Sequence, residues 1–183
     1  MRNLIKRYWQ IVLIAIVIVV LDQWTKGLVR ANIPLNGTWL PESLEWLSPY
    51  ARVVHWYNTG AAFGMFQQGG MVFTVLAFIV IGLILYYYPQ VEKADWSLRL
   101  AMSMQLGGAA GNLIDRLTIG HVTDFISIGR FPVFNVADAS ITVGALVLFL
   151  GVWMMEMAER RKKKDTTPQD NPPGEKPSEA TSE

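Results

Sequence analysis

The stretch VADASITVGALVLFLGVWMMEM, residues 136–157, is the last long apolar segment of this chain. It has the length of about 20 mostly apolar residues that a helix needs to cross roughly 30 Å of hydrocarbon. Near its start it carries a carboxylate, Asp138. A carboxylate in a membrane helix costs roughly 2.5–3.5 kcal/mol at the centre and less toward the interface, so its presence indicates a function. A second carboxylate, Asp124, lies fourteen positions earlier in a predicted short loop, and the two predict an aspartate pair at one membrane boundary.

The composition agrees with a membrane protein and excludes several kinds of site. The chain is 51% hydrophobic and only 17% charged, against about a quarter charged in a soluble domain. It contains no cysteine, which excludes thiol nucleophiles, disulfides and thiolate metal sites. Two histidines, His55 and His121, are a poor supply for a histidine zinc site or a Ser-His-Asp triad.

Four segments have the length and composition of membrane-spanning helices: residues 8–29, 71–88, 98–117 and 136–157. The first is preceded by basic residues like a secretory signal, but polar residues stand where a cleavage site would follow, so we interpret it as a retained anchor. The third segment is weakly hydrophobic because it is rich in Gly and Ala. Small residues let membrane helices approach closely, so helix packing is the main predicted role of its glycines.

The regions outside these helices are of two kinds. Residues 31–70 are rich in Trp and Tyr, which favour the membrane interface. We predict a short amphipathic helix at 41–47 and a strand at 52–57 that ends at the turn 58–60, together a small partly β element on the membrane. Residues 165–183 have nothing apolar to bury and are predicted to be a disordered cytoplasmic tail, after a membrane domain of residues 1–160.

Basic residues set the predicted orientation. They cluster before the first helix, in the connection between the second and third, and after the fourth: Arg2, Lys6, Arg7, Lys93, Arg99 and residues 160–164. By the positive-inside rule both termini are cytoplasmic. The polar residues of the helices then converge at the outer boundary of the membrane.

Some of these polar residues also have purely structural interpretations. Asp22 and Lys26 share a helix face and can pair, or Lys26 can extend toward the interface beside its counter-ion. Asn112 and Arg116 share a face in a glycine-rich helix and can contact a substrate. Arg116 can instead pair with Asp115 or with a lipid phosphate.

The start of the last helix also has two interpretations. Asn135 can cap it, with Asp138 at the third position facing the positive end of the helix dipole. That explanation accounts for Asp138 alone and leaves Asp124 unexplained.

Two carboxylates about 3 Å apart cannot both ionise, so the pair would share one proton. The ionised member can take a proton from water while the protonated member polarises a carbonyl, which hydrolyses an amide without a nucleophilic side chain. Two rival classes stay open. A phosphotransferase would use the carboxylates to hold Mg²⁺, although further clustered carboxylates are lacking. A proton-coupled transporter would need polar residues leading to the cytoplasmic side.

Five motifs in order resemble the signature blocks of bacterial lipoprotein signal peptidase (signal peptidase II). They are DQWTK at 22–26, NTGAAFG at 58–64, GGAAGNLIDR at 107–116, VTDFI at 122–126 and FNVAD at 134–138. The resemblance covers residues 21–144, and the four-helix layout agrees with it.

The resemblance implies an inner-membrane aspartyl endopeptidase, active without cofactor or metal, that cuts prolipoproteins before a diacylglyceryl-modified cysteine. It implies four transmembrane helices with an outer β-cradle and a mobile amphipathic helix. Its substrate is a diacylated prolipoprotein among membrane lipids. It also implies inhibition by globomycin-type cyclic peptides, and we expect a monomer that binds no nucleic acid. The catalytic pair falls on Asp124 and Asp138, and the supporting or substrate-contacting positions fall on Asp22, Lys26, Asn58, Gly108, Asn112, Arg116 and Asn135.

Overall fold

The computed structural model describes residues 2–60, 70–92 and 94–166. This part of the chain contains four long helices: α1 (Arg2–Asn32), α2 (Gly70–Tyr87), α3 (Trp96–Ile119) and α4 (Val136–Thr166). Three strands, β1 (Thr38–Trp39), β2 (Ala51–Asn58) and β3 (Val122–Ile128), and two short 3₁₀ helices, Glu42–Leu47 and Tyr88–Gln90, complete it. Each predicted helix is therefore present, and α1, α3 and α4 extend beyond their predicted bounds.

Three of the four helices are long and apolar enough to cross a membrane, over Tyr8–Asn32, Gly70–Gln90 and Val136–Ala158. Helix α3 has sufficient length but a lower hydropathy, because its sequence combines Gly, Ala and Ser with the charged residues Arg99, Asp115 and Arg116. A fourth membrane span therefore stays a prediction.

Helix α3 lies at the centre of the helical part and packs against α1, α2 and α4. One apolar cluster joins α1, α2 and α3 through Ile11, Ala15, Ile84, Tyr88 and Leu106. The contact with α1 is close, since a Cβ built on Gly107 would lie 2.8 Å from Cβ of Ile18. Glycine at that position is thus needed for packing, as the sequence predicted.

The outer region forms a three-stranded antiparallel sheet in the order β1-β2-β3. Its β2 confirms the strand predicted at 52–57. The predicted amphipathic helix at 41–47 is a 3₁₀ helix, Glu42–Leu47, with no buried residue. Three apolar side chains form a second cluster between the sheet and α1: Val29 of α1, Ile33 just after α1 and Phe125 of β3.

The prediction that Asp124 lies in a loop was wrong, because it lies within β3. Helix α3 ends at Gly120, which has a φ of 81°, and the chain then pairs with β2. The partner strand is more than 60 residues earlier, so local sequence gives little indication of this strand. Residues 61–64 of the small-residue motif and 167–183 of the predicted tail lie outside the described residues, while residues 165 and 166 end α4.

Candidate active site

Asp124 occupies a buried position in β3 opposite Trp56 of β2, and only 2% of its surface is exposed. Two amides hold its carboxylate from different elements. Asn58, at the end of β2, donates through Nδ2 to Oδ2 at 2.8 Å. Asn135, just before α4, donates through Nδ2 to Oδ1 at 2.7 Å. Both carboxylate oxygens are thus fixed by neutral donors.

Asp138 lies in the first turn of α4 and forms a reciprocal cap with Asn135. Its backbone N–H donates to Oδ1 of Asn135 at 2.9 Å, and its Oδ2 accepts from the backbone N–H of Asn135 at 3.3 Å. These are the two bonds of a capping box, so the predicted helix start is confirmed. Since the Asn135 side chain also donates to Asp124, this one residue connects both aspartates.

Asn112 of α3 contacts both Asp138 and Asn135. Its Nδ2 donates to Oδ1 of Asp138 at 2.7 Å. Its Oδ1 accepts from Nζ of Lys26 at 2.9 Å and from Nδ2 of Asn135 at 3.1 Å. Because two donors occupy the oxygen side of this amide, its nitrogen side is directed at the carboxylate.

Lys26 is fully buried between two carboxylates. Its Nζ lies 2.8 Å from Oδ2 of Asp22, which confirms the predicted pairing, and 3.2 Å from Oδ2 of Asp115. Taking charges out of water is costly unless each is paired and hydrogen-bonded. Here Asn112 and the two carboxylates provide those partners.

The two carboxylates also fix the backbone beside the aspartate pair. Asp22 Oδ1 accepts from the N–H of Ala137 at 2.9 Å, and Asp115 Oδ2 accepts from the N–H of Thr123 at 3.0 Å. Ala137 precedes Asp138 and Thr123 precedes Asp124. The buried charges of α1 and α3 therefore position the chain next to each aspartate.

Gly108 of α3 lies at the contact with α4. A Cβ built on it would collide with the carbonyl oxygen of Ala137 and would lie 2.6 Å from Cγ1 of Ile141. Gly111 is equally close to α1, since its Cβ would lie 2.7 Å from Oδ2 of Asp22. These glycines let the side chains of three helices converge on one point.

Arg116 is half-buried. Among the described residues, the ion pairs of Asp115 are with Lys26 and Arg30, and not with Arg116. Its guanidinium lies 5.6 Å from the centre of the Phe73 ring. It lines a cavity of about 530 Å³, together with Asn58, Asn112 and Asp138. The other walls are largely apolar and include Phe73, Phe131, Val133, Ile141 and Val143. The cavity has the size and the mixed lining of a ligand site.

Burial, together with the nearby charge of Asp138, raises the pKa of Asp124 to about 7, although the hydrogen bonds from Asn58 and Asn135 act in the opposite direction. An acid with such a pKa near neutrality is a common property of catalytic groups. Among the described residues no three His, Asp or Glu side chains are grouped so that they could hold a metal ion.

The structure brings together all nine predicted site residues. Seven of them belong to one network of hydrogen bonds and ion pairs. Arg116 lines the adjoining cavity, and Gly108 lies at the contact between α3 and α4. Sequence reasoning did not assign Asp115 to this cluster, and Thr123 was not singled out. No local pattern indicates the contact of Lys26 with Asp115, because Asp115 is 89 positions away and on another helix.

A sequence profile of the family described as Signal peptidase (SPase) II matches residues 14–154. A lipoprotein signal peptidase of Symbiobacterium thermophilum is 40% identical over 149 residues, which cover 79% of this chain and 95% of the relative. One of Shouchella clausii is 37% identical over 153 residues, covering 83% and 98%.

Solved structures agree with these sequence matches. A bacterial membrane enzyme determined by the in meso method is 27% identical to this chain with a TM-score of 0.68, covering 78% of this chain and 92% of the other. A second such structure, 24% identical with a TM-score of 0.69, has the same fold and covers 89% and 94%. The profile and the curated relatives extend over most of the chain, which therefore belongs to the signal peptidase II family and is a peptidase.

Proposed function

We propose that this chain removes signal peptides from diacylglyceryl-modified prolipoproteins by aspartate-pair hydrolysis, cutting before the lipidated cysteine. Family membership supports the signal-peptide substrate, and the curated relatives are named for lipoproteins. The observation that supports the mechanism is that Asn135 contacts both aspartates. Its Nδ2 donates a hydrogen bond to Asp124 at 2.7 Å, and its Oδ1 accepts one from the backbone N–H of Asp138 at 2.9 Å.

The reaction uses one proton held by the pair. The ionised carboxylate accepts a proton from water as the water oxygen attacks the scissile carbonyl carbon, and the protonated carboxylate donates to the carbonyl oxygen. The tetrahedral intermediate then collapses as the carboxyl group that took the water proton protonates the leaving amide nitrogen. The other carboxylate accepts a hydroxyl proton from the intermediate, which restores the singly protonated pair. The pKa of Asp124 of about 7 favours its holding the acid proton in neutral solution. Asn58, Asn112 and Asn135 orient the carboxylates without adding charge.

The cavity beside the pair fits a lipid-anchored helical substrate. Its polar end carries Asp138, Asn112 and Arg116, and its remaining wall is lined by aromatic and branched side chains. We propose that the scissile peptide lies at the polar end and that the diacylglyceryl chains lie along the apolar wall. Globomycin-type cyclic peptides would inhibit by filling the same space.

The membrane arrangement is part of the proposal. Four helices span the inner membrane, both termini are cytoplasmic, and the aspartate pair lies at the outer boundary. The membrane peptidase domain occupies residues 1–160, the tail after residue 164 is dispensable, and the enzyme acts as a monomer. The exposed aromatic residues Trp39 and Trp46 support a segment that lies at the interface and moves over the cavity as substrate enters.

The test is cleavage of a purified diacylated prolipoprotein in detergent, followed by the mobility shift of the product on a gel. Asp124→Asn and Asp138→Asn should each abolish cleavage while thermal unfolding stays near that of the wild type. Asp95→Asn is the matched control, because this aspartate lies at the start of α3 without a side-chain capping bond. EDTA should leave the wild-type rate unchanged. Substantial turnover by either site variant would refute the aspartate pair, and loss of activity with EDTA would favour a metal-dependent enzyme.

A further inference from the structure

A second cavity, of about 270 Å³, opens between residues 9–14 of α1 and the first two turns of α3, toward the end of the helices opposite the aspartate pair. Arg99 on its wall is 13 residues before Asn112 in α3, which corresponds to about 20 Å along the helix. The catalytic proposal uses no residue of this cavity.

Arg99 is half-buried and its charge is met by neutral partners. Its guanidinium donates to the carbonyl oxygen of Val91 at 3.2 Å, to the hydroxyl of Tyr88 at 3.0 Å and to Oε1 of Gln10 at 3.4 Å. Its Cζ lies 4.3 Å from the centre of the Tyr88 ring. Among the described residues no carboxylate pairs with it. The acidic residues nearest in sequence, Glu92 and Asp95, line a different surface.

Two tryptophans flank the opening and mark its depth. Trp9 of α1 is 53% exposed and Trp96 of α3 is 68% exposed. Tryptophan is enriched at the level of lipid headgroups. The cavity mouth therefore lies at headgroup depth, with the apolar residues Leu13 and Leu100 lining its wall.

We propose that this cavity binds the headgroup phosphate of an anionic phospholipid in the leaflet opposite the aspartate pair. Basic pockets between membrane helices bind anionic headgroups in this way, and a planar guanidinium can offer a phosphate two parallel hydrogen bonds. The volume is slightly below the roughly 300–1,000 Å³ of pockets for drug-sized ligands. It thus holds the headgroup while the acyl chains lie outside, along α1 and α3. A bound lipid would join α1, α3 and the Tyr88–Gln90 turn at this end.

The experiment measures lipid retention by native mass spectrometry of the full chain, after delipidation and exchange into mixed micelles of phosphatidylglycerol and phosphatidylcholine. Wild-type protein should retain phosphatidylglycerol in preference to phosphatidylcholine. Arg99→Gln should reduce that retention by at least about five-fold, the factor expected for one cation near a membrane surface. Arg130→Gln is the control, because it removes the same charge from an exposed position in the loop before α4.

Gln10→Glu is a second variant that keeps the packing. It places a carboxylate beside Arg99, where it neutralises the guanidinium and repels a phosphate, so retention should fall as it does in Arg99→Gln. This variant still tests the site if Arg99→Gln fails to fold. Competition with inorganic phosphate distinguishes a lipid site from a site for soluble anions. Added phosphate should not displace the bound phosphatidylglycerol.

Retention of phosphatidylglycerol equal to the Arg130→Gln control in the folded variants would overturn the proposal. Equal retention of the two lipids by the wild type would do so as well, and so would displacement by inorganic phosphate at concentrations comparable with the lipid. Cleavage of prolipoprotein in neutral detergent should be unchanged in Arg99→Gln and Gln10→Glu, which separates this site from the catalytic one.

Discussion

Replacement of Gly108 by alanine tests whether the close approach of α3 and α4 sets the position of Asp138. The added Cβ would lie 2.6 Å from Cγ1 of Ile141, which is about 0.8 Å short of the 3.4 Å at which ordinary contact begins. The Ile141 side chain can rotate away, but the carbonyl oxygen of Ala137 is backbone and would also be in collision. The first turn of α4 must therefore move, and it carries Asp138.

The expected cost has two parts. Overpacking of a tight interface destabilises by about 1–3 kcal/mol, which a thermal unfolding measurement in detergent detects. A displacement of the order of 1 Å in an active site can reduce the rate by about 10²-fold. We therefore expect kcat/KM for a diacylated prolipoprotein to fall by about 10²-fold, a larger loss than the stability change alone would cause in a protein that stays folded.

The matched control is Gly82→Ala in α2, where a Cβ would meet nothing within 4 Å. It should keep wild-type activity and gain about 0.5–1 kcal/mol of stability, because alanine favours the helix over glycine. If Gly108→Ala cleaves within two-fold of this control, α4 is not positioned by that contact and the reasoning is refuted.

The remaining predictions concern charge, pH and the chain end. Lys26→Met should destabilise the protein by about 3–5 kcal/mol, because it removes the ion pair of the buried Asp22 and leaves the buried Asp115 with Arg30 at 3.5 Å. Thermal unfolding checks this, and a loss below about 1 kcal/mol would contradict it. The pKa of Asp124 rises from 3.8 to about 7 on folding, so the folded state binds more protons and stability declines as pH rises between these values; Asp124→Asn should flatten that decline in Tm between about pH 4 and 7. Cleavage by the wild type should fall as pH rises through about 7, when the pair loses its last proton, and a rate that rises there would contradict the acid role of Asp124. Truncation after Lys164 should leave cleavage intact, since the removed residues have nothing apolar to pack; a truncated protein that inserts but cannot cleave would contradict this.

Local sequence predicted the parts of the site that depend on helix geometry. The spacing of Asp22 and Lys26 gives an ion pair of 2.8 Å, and the spacing of Asn135 and Asp138 gives a capping box. Both contacts lie within four residues, where helical periodicity fixes which side chains meet.

Long-range contacts were beyond that kind of prediction. Asp115 was weighed as a partner of its neighbour Arg116, whereas it contacts Lys26 of α1 and the backbone of Thr123. The strand that carries Asp124 depends on pairing with β2, so a loop was the natural expectation from its surroundings. In both cases the deciding partner is distant in sequence, and only the packing of α1, α3 and the sheet brings it close.

The side-chain donors to the aspartate pair are neutral amides. This explains how the buried Lys26 can lie near the pair without forcing both aspartates to ionise. A unit charge 4 Å from a carboxylate is worth about 4 kcal/mol at an effective dielectric constant of 20, enough to favour the ionised form strongly. Lys26 does not contact the pair directly, because its Nζ bonds to Oδ1 of Asn112, and the other side of that amide bonds to Asp138. Its charge is also offset by Asp22 and Asp115. The Asn112 amide thus orients the Asp138 carboxylate and separates it from the Lys26 ammonium group. Among the described residues Asp124 accepts side-chain hydrogen bonds from Asn58 and Asn135. Its burial raises its pKa to about 7, which suits a group that acts as an acid in neutral solution.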